Sequence, residues 1–162
     1  MARSPLVKPH ANDSSQYQLH VVSFSVVREP GQPEQPTVSS PDAAIEVAGR
    51  LIADDAKEHF WILLLDAQNR LRATHHVSTG TLSASLVHPR EVFAPALRVM
   101  GVSSILLLHN HPSGDPTPSR EDLRLTRQLV DCAKLLDLRI HDHIIIGNGT
   151  EKWTSLAQTG SL

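Results

Sequence analysis

Residues 106–125 read LLLHNHPSGDPTPSREDLRL, and the rest of the chain is organised around them. The run Ile105-Leu106-Leu107-Leu108 has the composition of a buried strand. It ends in His109-Asn110-His111. Residues two apart on an extended chain point the same way, so both imidazoles can aim at one point. Pro112 to Pro118, rich in Pro, Gly and Asp, reads as a loop. Ser119 then opens a helix, with Asp122 one turn inside it. Two imidazoles and a carboxylate, with a fourth position left to water, make the ligand set of a catalytic zinc site. A structural zinc would take four protein ligands, usually including Cys, and this chain has only Cys132. Local pattern leaves other roles open. Ser119 and Asp122, three apart, also match a capping box, although Glu or Gln is the usual partner. A carboxylate bound to metal would be hard to spare for that cap. Read alone, His109 and His111 could be ordinary polar residues at a strand end.

At 162 residues the chain is long enough for one domain with a real core, and its 40% hydrophobic share is that of a globular protein. The net charge of −2 argues against a broad phosphate-binding face, so charge does not support nucleic acid as a partner. No apolar run approaches the roughly 18 residues of a membrane span. The first residues, MARSPLVKPHANDSS, have no apolar core of signal-peptide length. Cys132 lies in a helical pattern and reads as a small core residue. It can form no internal disulfide, which fits a reducing cytoplasm. Composition says nothing of the oligomeric state.

Residues 1–15 are polar and read as a flexible segment, with a single domain over 16–162. Tyr17 to Val27 alternates and is β-branched, which predicts a strand. Ser40-Pro41 gives an N-cap followed by Pro at the first helical position, and apolar residues from Ala44 to Ile52 predict a helix over 41–55. His59 to Asp66 reads as a central strand, Ala67-Gln68-Asn69 as a turn, and Arg70 to Ser78 as the returning strand. His88-Pro89 marks a second helix, with Val92, Phe93, Ala96, Leu97 and Met100 on its buried face. Ser119 to Leu136 is the longest helix, Arg139 to Ile146 a strand, and Glu151 to Leu156 a short last strand. Hairpin and βα units together predict an α/β (mixed α+β) domain, a mixed sheet flanked by helices.

The spacing His109-x-His111-Pro112, six residues, Ser119, two residues, Asp122 resembles the JAMM signature of the JAB-type metalloproteases. The fuller wording HNHPSGDPTPSREDLRLT, with HPREVF (88–93) and DHIIIG (142–147), is similar to the RadC branch of that superfamily. The resemblance covers roughly residues 40 to 157. It implies a three-layer JAB-type fold, one zinc held by His109, His111 and Asp122, and hydrolysis of a peptide or isopeptide bond in a protein or peptide substrate. It also implies that Glu58, at the start of an early strand, is the base that activates the water, and that Ser119 donates a hydrogen bond to the oxyanion. Glu91, within the HPRE wording, is the competing candidate for the base. Full-length RadC proteins usually carry a helix-hairpin-helix region before this domain; the chain reads as a short form without it. The family's historical name supplies an alternative: a DNA-repair-associated binding module whose zinc is mainly structural.

Several polar residues compete with this set. Asp115 in the loop could substitute as a ligand. His141-Asp142-His143 is a second HxH; strand alternation puts His141 and His143 on one face and Asp142 on the other. It could form a second metal site, or Asp142 or His143 could support the core or orient a zinc ligand from behind. His75, His76 and His88 read as surface or loop residues. Arg120, Arg124 and Arg127 share a helix face that is either solvated or a small anion-binding patch.

Overall fold

A computed structural model describes residues 35–52, 57–80 and 87–162; the strand expected at Tyr17–Val27 and the segment 1–15 lie outside the described residues. The elements run α1 (Pro41–Ala48), β1 (His59–Leu65), β2 (Leu71–Thr79), α2 (Pro89–Arg98), β3 (Ser104–His111), α3 (Arg120–Leu135), β4 (Arg139–Gly147) and β5 (Trp153–Ser155). From α1 onward this is the order that hydrophobic periodicity predicts.

The strands form one mixed sheet in the order β2-β1-β3-β4-β5. β1 pairs antiparallel with both β2 and β3, whereas β3 and β4 are parallel and joined through α3. A parallel pair needs a crossover of helix length, which α3 provides. Alternation along the central strands then builds two cores. Phe60, Ile62, Leu64, Ile105 and Leu107 face α2 and α3, meeting Val92, Phe93, Leu125 and Leu129. Leu63, Leu65, Leu106, Leu108 and Ile144 face the other way, toward Ala44, Val47 and Ala48 of α1. The result is an α/β/α arrangement of three layers, with β1 and β3 buried on both faces, which explains their unbroken apolar runs.

The helix expected over 41–55 ends at Ala48, with Gly49 as its C-cap and tighter bonds from Arg50 to Val47 and Leu51 to Ala48. Leu51 and Ile52 still pack against the α1-side core, from a turn rather than a helix, so their spacing imitates a longer helix. In α2 the buried residues are Val92, Phe93, Pro95 and Ala96; Leu97 is 62% exposed and Met100 87%. The helix stops at Arg98, so the stripe never reaches Met100, and Leu97 turns outward beside Ala96. Cys132 is half-buried and packs against the α2/α3 core.

Candidate metal centre

The centre forms at the carboxyl end of β3, where the loop after the strand meets the N-terminus of α3. His109 and His111, two apart on β3, bring their Nε2 atoms within 3.0 Å of each other. Asp122 enters from the first turn of α3, its Oδ1 3.4 Å from His109 Nε2 and its Oδ2 3.5 Å from His111 Nε2. Tetrahedral ligands about 2.0–2.1 Å from a zinc ion stand about 3.3 Å apart, so these three donors fit one zinc. They are also the only group of three or more His, Cys, Asp or Glu donors close enough to hold a metal ion among the described residues.

Each donor is aimed by a second bond. His111 Nδ1 donates to the main-chain oxygen of Asp115 at 2.7 Å, which leaves Nε2 for the site. Asp115 thus acts through its backbone; its carboxylate accepts from the Thr117 amide and hydroxyl and does not approach the centre as an alternative ligand. His109, fully buried, stacks on Phe60 and pairs through Nδ1 with His143 Nε2 at 2.7 Å. Asp122 fills the capping role and still presents its carboxylate to both imidazoles. Its Oδ2 accepts the Ser119 amide at 2.7 Å while Ser119 Oγ accepts the Asp122 amide at 3.1 Å, a complete capping box. A carboxylate offers about four acceptor positions, so the cap does not exhaust it.

The electrostatics follow from this geometry. Burial, then the adjacent His143, holds His109 well below the usual histidine range against the pull of Asp122. His111 is raised, chiefly by its hydrogen bond with Asp122. For Asp122, burial would raise the pKa, but His111, His109 and Ser119 outweigh it and hold the carboxyl well below the usual carboxylate range. Asp122 is therefore an anion available to a cation.

Beside the donors opens a cleft of about 260 Å³ lined by Glu58, His111, Pro112, Ser113, Ser119, Glu121 and Asp122. Glu58 and Ser119, separated by most of the sheet in sequence, thus share one cleft with the metal-binding group. Glu91 does not line it; it is exposed on α2 and paired with Arg90 at 3.0 Å. Asn110, between the two histidines, points to the opposite side of β3. Its side chain accepts the His59 amide at 2.7 Å and donates to the Lys57 carbonyl at 2.9 Å. It thereby clamps the backbone on both sides of Glu58. Alternation predicts that Asn110 faces away from His109 and His111, but only the pairing of β1 with β3 reveals what it grips.

The second HxH motif is divided between two jobs. A register shift between Ile105 and Leu106, opposite Ile140 and Asp142, breaks simple alternation. His141 bonds Asn69 at 2.9 Å and lines a small pocket together with Asp142, so the expectation that it shares a face with His143 is corrected by the bulge. His143 turns inward behind His109. The Asp142 carboxylate accepts the amides of His143 and Ala157 and the Ser155 hydroxyl, tying down the chain's end. His75 and His76 lie half-buried on β2 rather than in a loop, His76 against Trp61, while His88 caps α2. On α3, Arg124 pairs with Glu121.

These features converge on one family. A family model described as a RadC-like JAB domain matches residues 38–161. The chain belongs to the RadC-like JAB domain family. It is 45% identical over 118 residues to a UPF0758 protein of Caldanaerobacter subterraneus, covering 73% of this chain and 50% of that relative. It is 50% identical over 109 residues to a UPF0758 protein of Geobacter sulfurreducens (67% and 46% of the two chains) and 42% identical over 136 residues to one of Trichodesmium erythraeum (79% and 56%). The chain thus spans about half the length of the curated relatives it matches. Among the described residues, no helix of this JAB domain is long and apolar enough to cross a membrane.

The loop that carries Asp115 is held in place by glycine. Gly114, at φ +79°, packs against Gly147 at the end of β4, and a Cβ on Gly147 would stand 2.2 Å from the Gly114 oxygen. Asn148 also donates to the His111 carbonyl at 3.0 Å. Gly147→Ala must push the two loops apart and turn His111 with them. Overpacking of this kind costs about 1–3 kcal/mol. The expected result is a lower Tm together with a zinc affinity weakened at least about 10-fold, the lower end of the outer-shell range. Thermal unfolding and a zinc titration check it; unchanged values in both would mean that the loops yield freely.

Proposed function

We propose that this domain is a zinc-dependent metallohydrolase that cleaves a peptide or isopeptide bond in a protein or peptide substrate. The observation that carries the reading is the meeting of a three-donor group, open on one side, with Glu58 and Ser119 in a single cleft. A closed structural zinc would use four protein ligands, so the open side supports hydrolysis over the alternative of a DNA-repair-associated binding module. The lone Cys132 is consistent with a reducing cytoplasm.

A zinc ion held by His109, His111 and Asp122 would supply Lewis-acid charge and lower the pKa of a water towards about 7. The Glu58 carboxylate would accept that water's proton and deliver it to the leaving amine. Ser119 Oγ accepts from the Asp122 amide, which leaves its hydroxyl hydrogen to point into the cleft and stabilise the developing oxyanion. The capping box holds that hydroxyl in place, so the start of α3 is at once a helix cap and part of the site.

The test uses purified full chain. Elemental analysis should find one zinc per chain. Incubation with a protein-derived peptide pool and with isopeptide-linked peptides, read by mass spectrometry, should yield new termini that disappear with a chelator and return with added zinc. Absence of bound zinc, or cleavage that survives its removal, would overturn the proposal.

A further inference from the structure

Behind the centre runs a chain of short, fully buried contacts that the hydrolytic reading does not use. His109 Nδ1 lies 2.7 Å from His143 Nε2, and His143 Nδ1 lies 2.6 Å from Thr126 Oγ1. Thr126 Oγ1 lies 2.6 Å from the main-chain oxygen of Asp122, one turn back on α3. All four residues are at most 1% exposed. We infer that His143 and Thr126 are positioning residues that hold His109 as its Nδ1–H tautomer, through a one-directional hydrogen-bond chain ending on the carbonyl of Asp122. The inference rests on the metal-centre reading for its purpose, though not for its geometry.

The direction follows from counting hydrogens. Two oxygens 2.6 Å apart repel unless a hydrogen lies between them, and a carbonyl has none to give. The Thr126 hydroxyl hydrogen must therefore point to the Asp122 oxygen. Thr126 Oγ1 is then only an acceptor toward His143, so His143 Nδ1 carries the hydrogen. His143 is fully buried and its ring bonds only an imidazole and a hydroxyl, with no anion to pair a charge, so it is neutral. Its Nε2 is then bare and can only accept, so His109 Nδ1 carries the next hydrogen. This leaves the lone pair of His109 on Nε2, the atom facing His111 and Asp122. In the reverse arrangement His109 Nε2 would carry a hydrogen and could not ligate. A ligating histidine usually donates its other nitrogen to a carboxylate, carbonyl or water. Here a second histidine takes that place, and the hydroxyl beyond it sets its tautomer. Because the chain begins at one metal-binding residue on β3 and ends on the backbone of another on α3, it also ties the two elements together through β4.

Long-range proton–nitrogen correlation spectra of ¹⁵N-histidine-labelled, metal-free protein read the tautomers directly. His109 and His143 should both show a protonated Nδ1 and a bare Nε2, assigned through His143→Gln. Thr126→Val, of nearly the same shape, should mix the tautomers of both rings and weaken zinc binding about 10- to 100-fold in competition with a chromophoric chelator. Thr126→Ser should restore both. A wild-type spectrum showing His109 protonated at Nε2, or Thr126→Val with unchanged tautomers and zinc affinity, would overturn the inference. The tautomers are read in the wild-type protein, independently of Thr126→Val, so a Thr126→Val protein that fails to fold does not rescue the idea. If the wild type binds no zinc yet shows these tautomers, the hydrolase reading fails and the hydrogen-bond chain stands.

Discussion

Asp122→Ala is expected to lose zinc and to weaken the helix that carries it. The carboxylate is nearly fully buried, caps Ser119 and stands within 3.5 Å of both imidazoles. Removing it deletes the only anion of the donor group and half of the capping box. Loss of a cap costs about 1 kcal/mol. Loss of a ligand should weaken zinc by more than the roughly 10- to 100-fold typical of an outer-shell partner. Asp122→Asn separates the two effects, since its amide oxygen can still accept the Ser119 amide but brings no charge to the centre. Elemental analysis should therefore find little zinc in either variant, while denaturant unfolding should show the larger stability loss in Asp122→Ala alone. Full zinc retention in both would reduce Asp122 to a cap, and the ligand set would have to be rebuilt.

Glu58→Gln should slow turnover by about 10²- to 10⁴-fold and leave the metal in place. The side chain lines the cleft but is not one of the three donors, and Gln keeps its size while losing the ability to take a proton. General acid–base catalysis contributes about 10²- to 10⁴-fold, which sets the expected loss in rate. Zinc content and Tm should stay at wild-type values. Glu91→Gln serves as the comparison, because Glu91 is exposed, bonded to Arg90 and outside the cleft. A loss of rate in Glu91→Gln and none in Glu58→Gln would transfer the role of base.

Much of this molecule is legible along the chain because the determining interactions are short in sequence. The unbroken apolar runs of β1 and β3 announce strands buried on both faces. The alternation of His109 and His111 follows from the two-residue period of a strand, and Ser119 with Asp122 from the first turn of a helix. Where local rules were strained they erred in local ways. A stripe of apolar residues prolonged α1 past Gly49 and α2 past Arg98, since spacing cannot distinguish a helix from a turn that packs on the same core.

The element order from α1 onward is legible along the chain from hydrophobic periodicity, and the family and the grouping of His109, His111 and Asp122 from the resemblance of its motifs. How those side chains are aimed and supported emerges only from packing between elements. Asn110 clamps the segment around Glu58 through β1–β3 pairing, Gly147 admits Gly114 through loop packing, and Thr126 meets His143 where α3 lies against β4. Thr126 stands four residues beyond Asp122, so helical period alone places it on the same face, but not against a histidine. That His143 turns inward while His141 turns away depends on one bulge in β4, whose register is set by its neighbour β3. Alternation is a property of a single strand, whereas register belongs to a pair, and a pair exists only once the chain has folded.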